Sequence, residues 1–388
     1  VTTRSSPRCR SRCTRSPELT RLGSATAARW SAGLRPLPDF PWDRLLPYSA
    51  IARGHPGGIA DLSVGTPVDH TPPAVRDALV AAADAPGYPP VAGTPALTDA
   101  LRSWTIRQTG APADVAVLPT IGSKELVALL PGLLGLGPGD VVVIPELAYP
   151  TYAVGAAMCG AEVSTTWRDD AALVWLNSPS NPTGEVTSAA ELAAVVDRAR
   201  GAGVLVVSDE CYLEFPDDPE LAVPSVLGPE VGGGSLDLLV AVHSLSKRSN
   251  LAGYRFGSVA GDPVVIATLL ERRKHAGLMV PAPVQAAAIA ALGDTAHVRA
   301  QAEVYRARRA LLRPALASAG FRVDHSGAGL YLWATRDEPC MATVGWLADR
   351  GILVAPGDFY GESGGRHVRI ALTATDERIA ATAARLTA

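Results

Sequence analysis

Strand and helix patterns alternate along most of this chain, and that alternation limits its fold more than any other feature. Apolar, β-branched runs recur at 115–118, 141–144, 173–176, 204–207 and 238–242. Helical patterns lie between several of them, including 125–134 and 189–200. Strands joined through helices pair in parallel, and a parallel sheet is covered on both faces. Longer helical patterns follow at 263–275 and 298–319. Short strand candidates at 330–334, 352–354 and 368–372 then surround one helix at 341–350, as in a smaller α+β region. No internal repeat and no Pro/Gly/Ser linker separates independent modules. The expected organisation is a large domain over 63–289 and a small domain built from 37–62 and 290–388.

Residues 1–36 fall outside this pattern. They hold eight arginines and one acid (Glu18), a local balance of +7, so the rest carries −10 within a total of −3. An acidic body leaves no footprint for nucleic acid. The segment is read as a disordered basic extension. An organellar transit peptide, an anion-binding arm or translation from an upstream start would share its composition. No run reaches the ~18 apolar residues of a membrane span. The most apolar region, 126–144, is broken by Pro131, Pro138 and Asp140. The start shows no apolar signal-peptide core, and five scattered cysteines (Cys9, Cys13, Cys159, Cys211, Cys340) form neither a disulfide framework nor a zinc spacing. A cytoplasmic protein without metal or membrane contact is expected.

Of the 35 basic residues only three are lysines, Lys124, Lys247 and Lys274, so chemistry that needs a side-chain amine has three candidates. Five motifs fall at strand ends, where open α/β sheets bind ligands. Ile121-Gly122-Ser123-Lys124-Glu125 leads from a strand into a helix, and free N–H groups there favour a phosphate, although an ordinary Ser123 cap reads the same way. Residues 145–152, PELAYPTY, place aromatics after a strand, to cover a flat heterocycle or simply to pack. Residues 177–184, NSPSNPTG, form a polar, proline-locked turn from which Asn181 can donate to a phenolic oxygen. In Ser208-Asp209-Glu210-Cys211-Tyr212 a carboxylate ends an apolar strand; if buried it needs a cation such as a protonated pyridine nitrogen. Finally, His243-Ser244-Leu245-Ser246-Lys247 puts a lysine after a buried strand, with Arg255 eight residues on. A desolvated lysine near other cations is nucleophilic, as Schiff-base chemistry requires. Lys124 opens a helix, and Lys274 sits in a basic cluster, 272–275, that reads as a solvated face.

With these strings the chain resembles a class I/II pyridoxal-phosphate (PLP) aminotransferase of fold type I over nearly all of 39–388. Further matches are SVGTP at 63–67, the segment holding Tyr88 and Gly93, and His367-Val368-Arg369-Ile370. Other strings, such as LSVGTPVDHTP and RKHAGLMVPAPVQAA, are similar to actinobacterial succinyldiaminopimelate transaminases. The resemblance implies a mainly parallel seven-stranded sheet between helices in the large, PLP-binding domain. Lys247 would form the Schiff base, Asp209 hold the pyridine nitrogen, and Asn181 and Tyr212 bond the phenolic oxygen, with Tyr149 on the ring face. Gly122, Ser123, Lys124 (through its backbone), Ser244, Ser246 and Arg255 would surround the phosphate. Tyr88 would reach the phosphate in the neighbouring subunit of a homodimer. Arg369 would clamp the substrate α-carboxylate, and Gly65 would line a closing N-terminal segment.

The implied reaction is ping-pong transamination between an amino acid and a 2-oxo acid, with Lys247 as proton carrier. In the resembled subfamily the donor is N-succinyl-LL-2,6-diaminopimelate, the acceptor 2-oxoglutarate, and the pathway that of lysine. The cluster 272–275 is a candidate for the distal carboxylates of such a substrate. The rival readings are an aminotransferase for aspartate, alanine, aromatic amino acids or LL-diaminopimelate, a PLP-dependent β-lyase, and a regulator with an aminotransferase-like sensor domain. The regulator would need a DNA-binding module that 36 irregular residues do not supply.

Overall fold

The structure, a computed structural model, describes Leu37 and residues 41–388; the extension expected over 1–36 lies outside the described residues. The chain divides into two units, Val1–Leu37 and Pro38–Ala388, and the fold described is that of the second. Among the described residues twelve strands form two sheets: β1 (Ala60–Leu62), β2 (Ala116–Thr120), β3 (Val141–Val143), β4 (Glu162–Ser164), β5 (Leu173–Asn177), β6 (Leu205–Asp209), β7 (Leu239–Ser244), β8 (Gly257–Gly261), β9 (Arg322–Asp324), β10 (Tyr331–Thr335), β11 (Ile352–Pro356) and β12 (His367–Ala371).

The large sheet has seven strands in the order β2-β8-β7-β6-β5-β3-β4. Every pairing is parallel except those of β8, which runs antiparallel to both β2 and β7. Its central strands β6 and β7 are buried at every position, as continuous apolar runs in a doubly covered sheet should be. Alternate side chains enter different cores. Val141, Val143, Val174 and Val206 pack on one face, and Val142, Leu173, Trp175, Leu205 and Val207 on the other. Helices cover both faces. One of them, Ala189–Ala202, opens with a capping box between Ser188 and Glu191 and stops at Gly203.

The second sheet, β1-β11-β12-β10-β9, is mixed: β1 lies parallel to β11, and the remaining pairs are antiparallel. Its core takes in apolar residues of the helices Ala296–Ser318, Cys340–Ala348 and Asp376–Thr387. The helix Ala282–Gly293 crosses the boundary expected between 289 and 290, yet Ala287, Ala288, Ala291 and Leu292 all pack in the large sheet's core.

Strand register brings the motifs together. Asn177 lies opposite Asp209, and Asp209 opposite Val242. Ser244 and Thr120 both lie opposite Gly257. The ends of β5, β6, β7 and β2 thus form one row.

Candidate active site

Lys247 lies in the short helix Leu245–Arg248, which continues directly from β7. Its Nζ donates to the carbonyl of Gly65 at 2.6 Å. Burial holds the amine below its usual range, and the charges of Arg369 and Arg255 push the same way. Asp209, the last residue of β6, is buried and accepts from the Tyr152 hydroxyl at 2.9 Å and the Cys211 N–H at 3.2 Å. Burial raises its pKa, and among the described residues no side chain forms an ion pair with it. Tyr152 is held by stacking on Trp175, 4.7 Å between centroids. Neither ring carries a signal of its own in the sequence, although Tyr152 lies three residues beyond Tyr149 in the same string.

Asn177 joins the next two loops. Its Nδ2 donates to the Asp209 carbonyl at 2.9 Å, and its Oδ1 accepts the Asn181 N–H at 2.7 Å. Asn181 Oδ1 accepts from Arg369 Nη1 at 2.8 Å, so the amide is oriented with Nδ2 left to donate. The Arg369 guanidinium is buried and also donates through Nη2 to the Ser63 carbonyl at 2.7 Å. Its Nε has no partner among the described residues.

The turn at Gly122 is built from close backbone approaches. Gly122, at φ +77°, caps the helix Ser123–Leu133, and a Cβ there would lie 2.9 Å from Arg255 Cζ. Arg255 itself adopts φ +56° and anchors Nη1 on the Ala252 carbonyl at 2.9 Å. A Cβ on Gly257 would come within 2.7 Å of the Ser123 nitrogen, which is why a strand of small residues runs behind this turn. Ser244 Oγ accepts the Ser246 N–H at 3.2 Å, and both side chains are buried. Lys124 is exposed, its Nζ 6.0 Å from the centroid of the Tyr149 ring. Burial pushes the Tyr149 phenol up to about 12. Tyr212 meets the Tyr331 hydroxyl at 3.0 Å. Tyr88 stands apart: it is 95% exposed and shares no hydrogen bond with these residues in the chain.

The cluster 272–275 divides: Arg273 is 0% exposed and donates to both carboxylate oxygens of Glu125, at 2.7 and 3.0 Å, whereas Arg272, Lys274 and His275 are exposed. The position of Arg273 on the helix Pro263–Ala276 is on the inward stripe with Ile266 and Leu269.

These groups suit PLP. A buried carboxylate without an ion-pair partner wants the cation of a pyridinium, and a buried amine with one carbonyl partner stands beside it. At Gly122 the Arg255 guanidinium stands against bare backbone at a helix N-terminus, a cation and free N–H groups that suit a phosphate. Fold and site together define a fold-type I PLP enzyme. The family description "Aminotransferase class I and II" matches residues 58–386, and the chain belongs to that pyridoxal-phosphate-dependent family. It is 57% identical to the 4-dedimethylamino-4-oxo-anhydrotetracycline transaminase OxyQ of Streptomyces rimosus, over 91% of this chain and 100% of that protein. It is 58% identical to the "Probable aminotransferase Rv1178" of Mycobacterium tuberculosis, over 95% of this chain and 89% of that one. Among solved structures, the N-succinyldiaminopimelate aminotransferase of Mycobacterium tuberculosis superposes with a TM-score of 0.79 at 26% identity, covering 89% of this chain and 98% of that one.

Proposed function

We propose that this aminotransferase moves the 6-amino group of N-succinyl-LL-2,6-diaminopimelate to 2-oxoglutarate, giving the 6-oxo product and glutamate, in cytoplasmic lysine synthesis. The observation that carries an α-carboxylate substrate is Arg369: buried, pinned through Nη1 and Nη2, and left with an unpartnered Nε. A forked guanidinium held in this way takes a carboxylate in a bidentate pair. The succinylated donor is supported by the likeness to the mycobacterial N-succinyldiaminopimelate aminotransferase.

PLP, when bound, supplies an electron sink for the carbanion left at the substrate Cα. Lys247 Nζ, its pKa lowered by burial, would take the Cα proton of a bound substrate as general base and return a proton as general acid. Asp209 holds the pyridine nitrogen, and a cation there lowers the carboxylate pKa that burial alone raises. Asn181 Nδ2 and the Tyr212 hydroxyl donate to the phenolic oxygen, and Tyr149 covers the ring. Gly122, Ser123, the backbone of Lys124, Ser244, Ser246 and Arg255 hold the phosphate, with Tyr88 from a second copy in a homodimer. The segment at Gly65, hydrogen-bonded to Lys247, covers the amine and excludes water.

The identity to OxyQ over that protein's whole length favours a second reading, amination of a ketone on a large polycyclic acceptor. Purified enzyme charged with glutamate separates the two. The first reading expects amination of the N-succinylated 6-oxo acid and a Lys247→Ala variant that has lost both turnover and the visible cofactor band. No turnover of that acid, with amination of 4-dedimethylamino-4-oxo-anhydrotetracycline instead, would overturn it.

A further inference from the structure

Tyr331 opens β10 and belongs to none of the motifs that mark the site. It is 2% exposed, and three contacts converge on it. Its hydroxyl lies 3.0 Å from that of Tyr212. Its ring centroid lies 4.1 Å from Cζ of Arg369. A Cβ on Gly65 would collide with the Tyr331 hydroxyl, so the backbone that takes the Lys247 hydrogen bond passes directly over this phenol. One side chain thereby touches the three groups assigned to the cofactor's phenolic oxygen, the substrate carboxylate and the covering segment.

A phenol has one proton. If Tyr212 directs its own at the cofactor, the bond between the two hydroxyls requires Tyr331 as donor and Tyr212 Oη as acceptor. Accepting that bond polarises Tyr212 and makes it the stronger donor. Burial pushes the Tyr212 pKa up, which keeps its proton in place. The rings of Tyr212 and Tyr331 meet edge to face, 5.7 Å apart and 75° inclined, so packing alone would hold the pair without the hydroxyl. The hydroxyl is therefore the part whose presence packing does not explain.

We propose that Tyr331 is a positioning residue of the transamination site, whose hydroxyl aims Tyr212 at the cofactor and whose ring is the platform that fixes Arg369 for the substrate carboxylate. This rests on the roles given above to Tyr212 and Arg369. A weaker donor at the phenolic oxygen leaves that oxygen more basic, so the proton it shares with the Lys247 nitrogen is held to higher pH. A ring face under a desolvated guanidinium attracts it whether or not the ring carries a hydroxyl.

The test uses holoenzyme and two readouts that do not depend on turnover. One is the pH midpoint of the visible cofactor band; the other is the affinity for glutarate, an unreactive dicarboxylate, followed through the same band. Tyr331→Phe is expected to raise the midpoint by about half a pH unit, in the direction of Tyr212→Phe and less far. Its glutarate affinity should stay within about twofold of the parent, because the ring remains. Tyr331→Leu should show the same midpoint shift and bind glutarate about tenfold more weakly; Tyr331→Met replaces it should that variant not fold. If Tyr212→Phe moves the midpoint and Tyr331→Phe does not, the hydroxyl role is wrong while the site assignment stands. If neither moves it, the assignment of Tyr212 fails and takes this inference with it. Glutarate weakened as much by Tyr331→Phe as by the ring-less variant overturns the platform.

Discussion

Glu125→Ala should cost far more than the loss of an ordinary ion pair, because of what it leaves behind. Arg273 is 0% exposed, and both its terminal nitrogens are held by the Glu125 carboxylate. The guanidinium does not deprotonate in a protein, so removing the acid strands a buried charge. That situation costs about 3–5 kcal/mol. Glu125 Oε2 also accepts the Ile121 N–H at 3.2 Å, and the loss of that acceptor beside Gly122 adds to the cost. An unfolding entropy of about 2.1 cal/mol/K per residue over roughly 350 residues is about 0.7 kcal/mol per degree. The stranded charge alone should therefore lower Tm by about 4–7 °C. The assay is thermal melting of the holoenzyme at one scan rate, with Asp170→Ala as control. Asp170 pairs with Arg168 at 2.6 Å on the surface, and its removal should hardly move Tm. The double variant Glu125→Leu/Arg273→Met removes both charges and should recover most of the loss. A Glu125→Ala melt within a degree of the control, or a double variant no better than the single, would refute the reasoning.

Gly122→Ala puts a Cβ at a φ of +77° and against the Arg255 guanidinium; it should weaken PLP binding at least tenfold in equilibrium dialysis, and unchanged affinity would show that the cradle lies elsewhere. Burial raises the Glu210 pKa from 4.5 to about 7 and lowers that of His243 from 6.5 to about 4, so between those ordinary values Glu210 stabilises the fold less as pH rises while His243 stabilises it more. In urea unfolding across that window Glu210→Gln should tilt the parent's slope towards stability rising with pH and His243→Asn should tilt it towards falling; changes of the same sign in both would contradict the assignment.

The parts of the site legible in the sequence are those whose chemistry is carried by neighbours along the chain. Lys247 is marked by the hydroxyls of Ser244 and Ser246 beside it, and Asp209 by the apolar strand it ends. The groups that orient them act across the fold. Tyr152 is 57 residues from Asp209, Tyr331 is 119 from Tyr212, and Arg369 is 188 from Asn181. No local pattern reports such pairs. The strands behaved in the same way: β6 and β7 are long, fully buried runs and were visible, whereas β1, β4 and β9 have three residues each and no period to detect. β8 was hidden for another reason, since Gly-Ser-Val-Ala-Gly carries little apolar signal where close backbone approach forbids larger side chains.

Arg273 shows where a signal existed and was outweighed. Arg272, Arg273, Lys274 and His275 read as one solvated block when taken as composition, and three of the four are exposed. Helical geometry separates them. Residues 266, 269 and 273 fall on one stripe, and the first two are Ile and Leu. An arginine on an apolar stripe has to meet a carboxylate, because a buried unpaired charge is among the costliest features a fold can carry. That much follows from periodicity alone. Which carboxylate it meets does not, since Glu125 lies 148 residues away on the helix that opens after Gly122. Tertiary pairing thus sets Arg273 apart from its exposed neighbours and makes it a brace for the helix that opens after Gly122, while Arg369, beside Asn181, is buried with no carboxylate partner among the described residues.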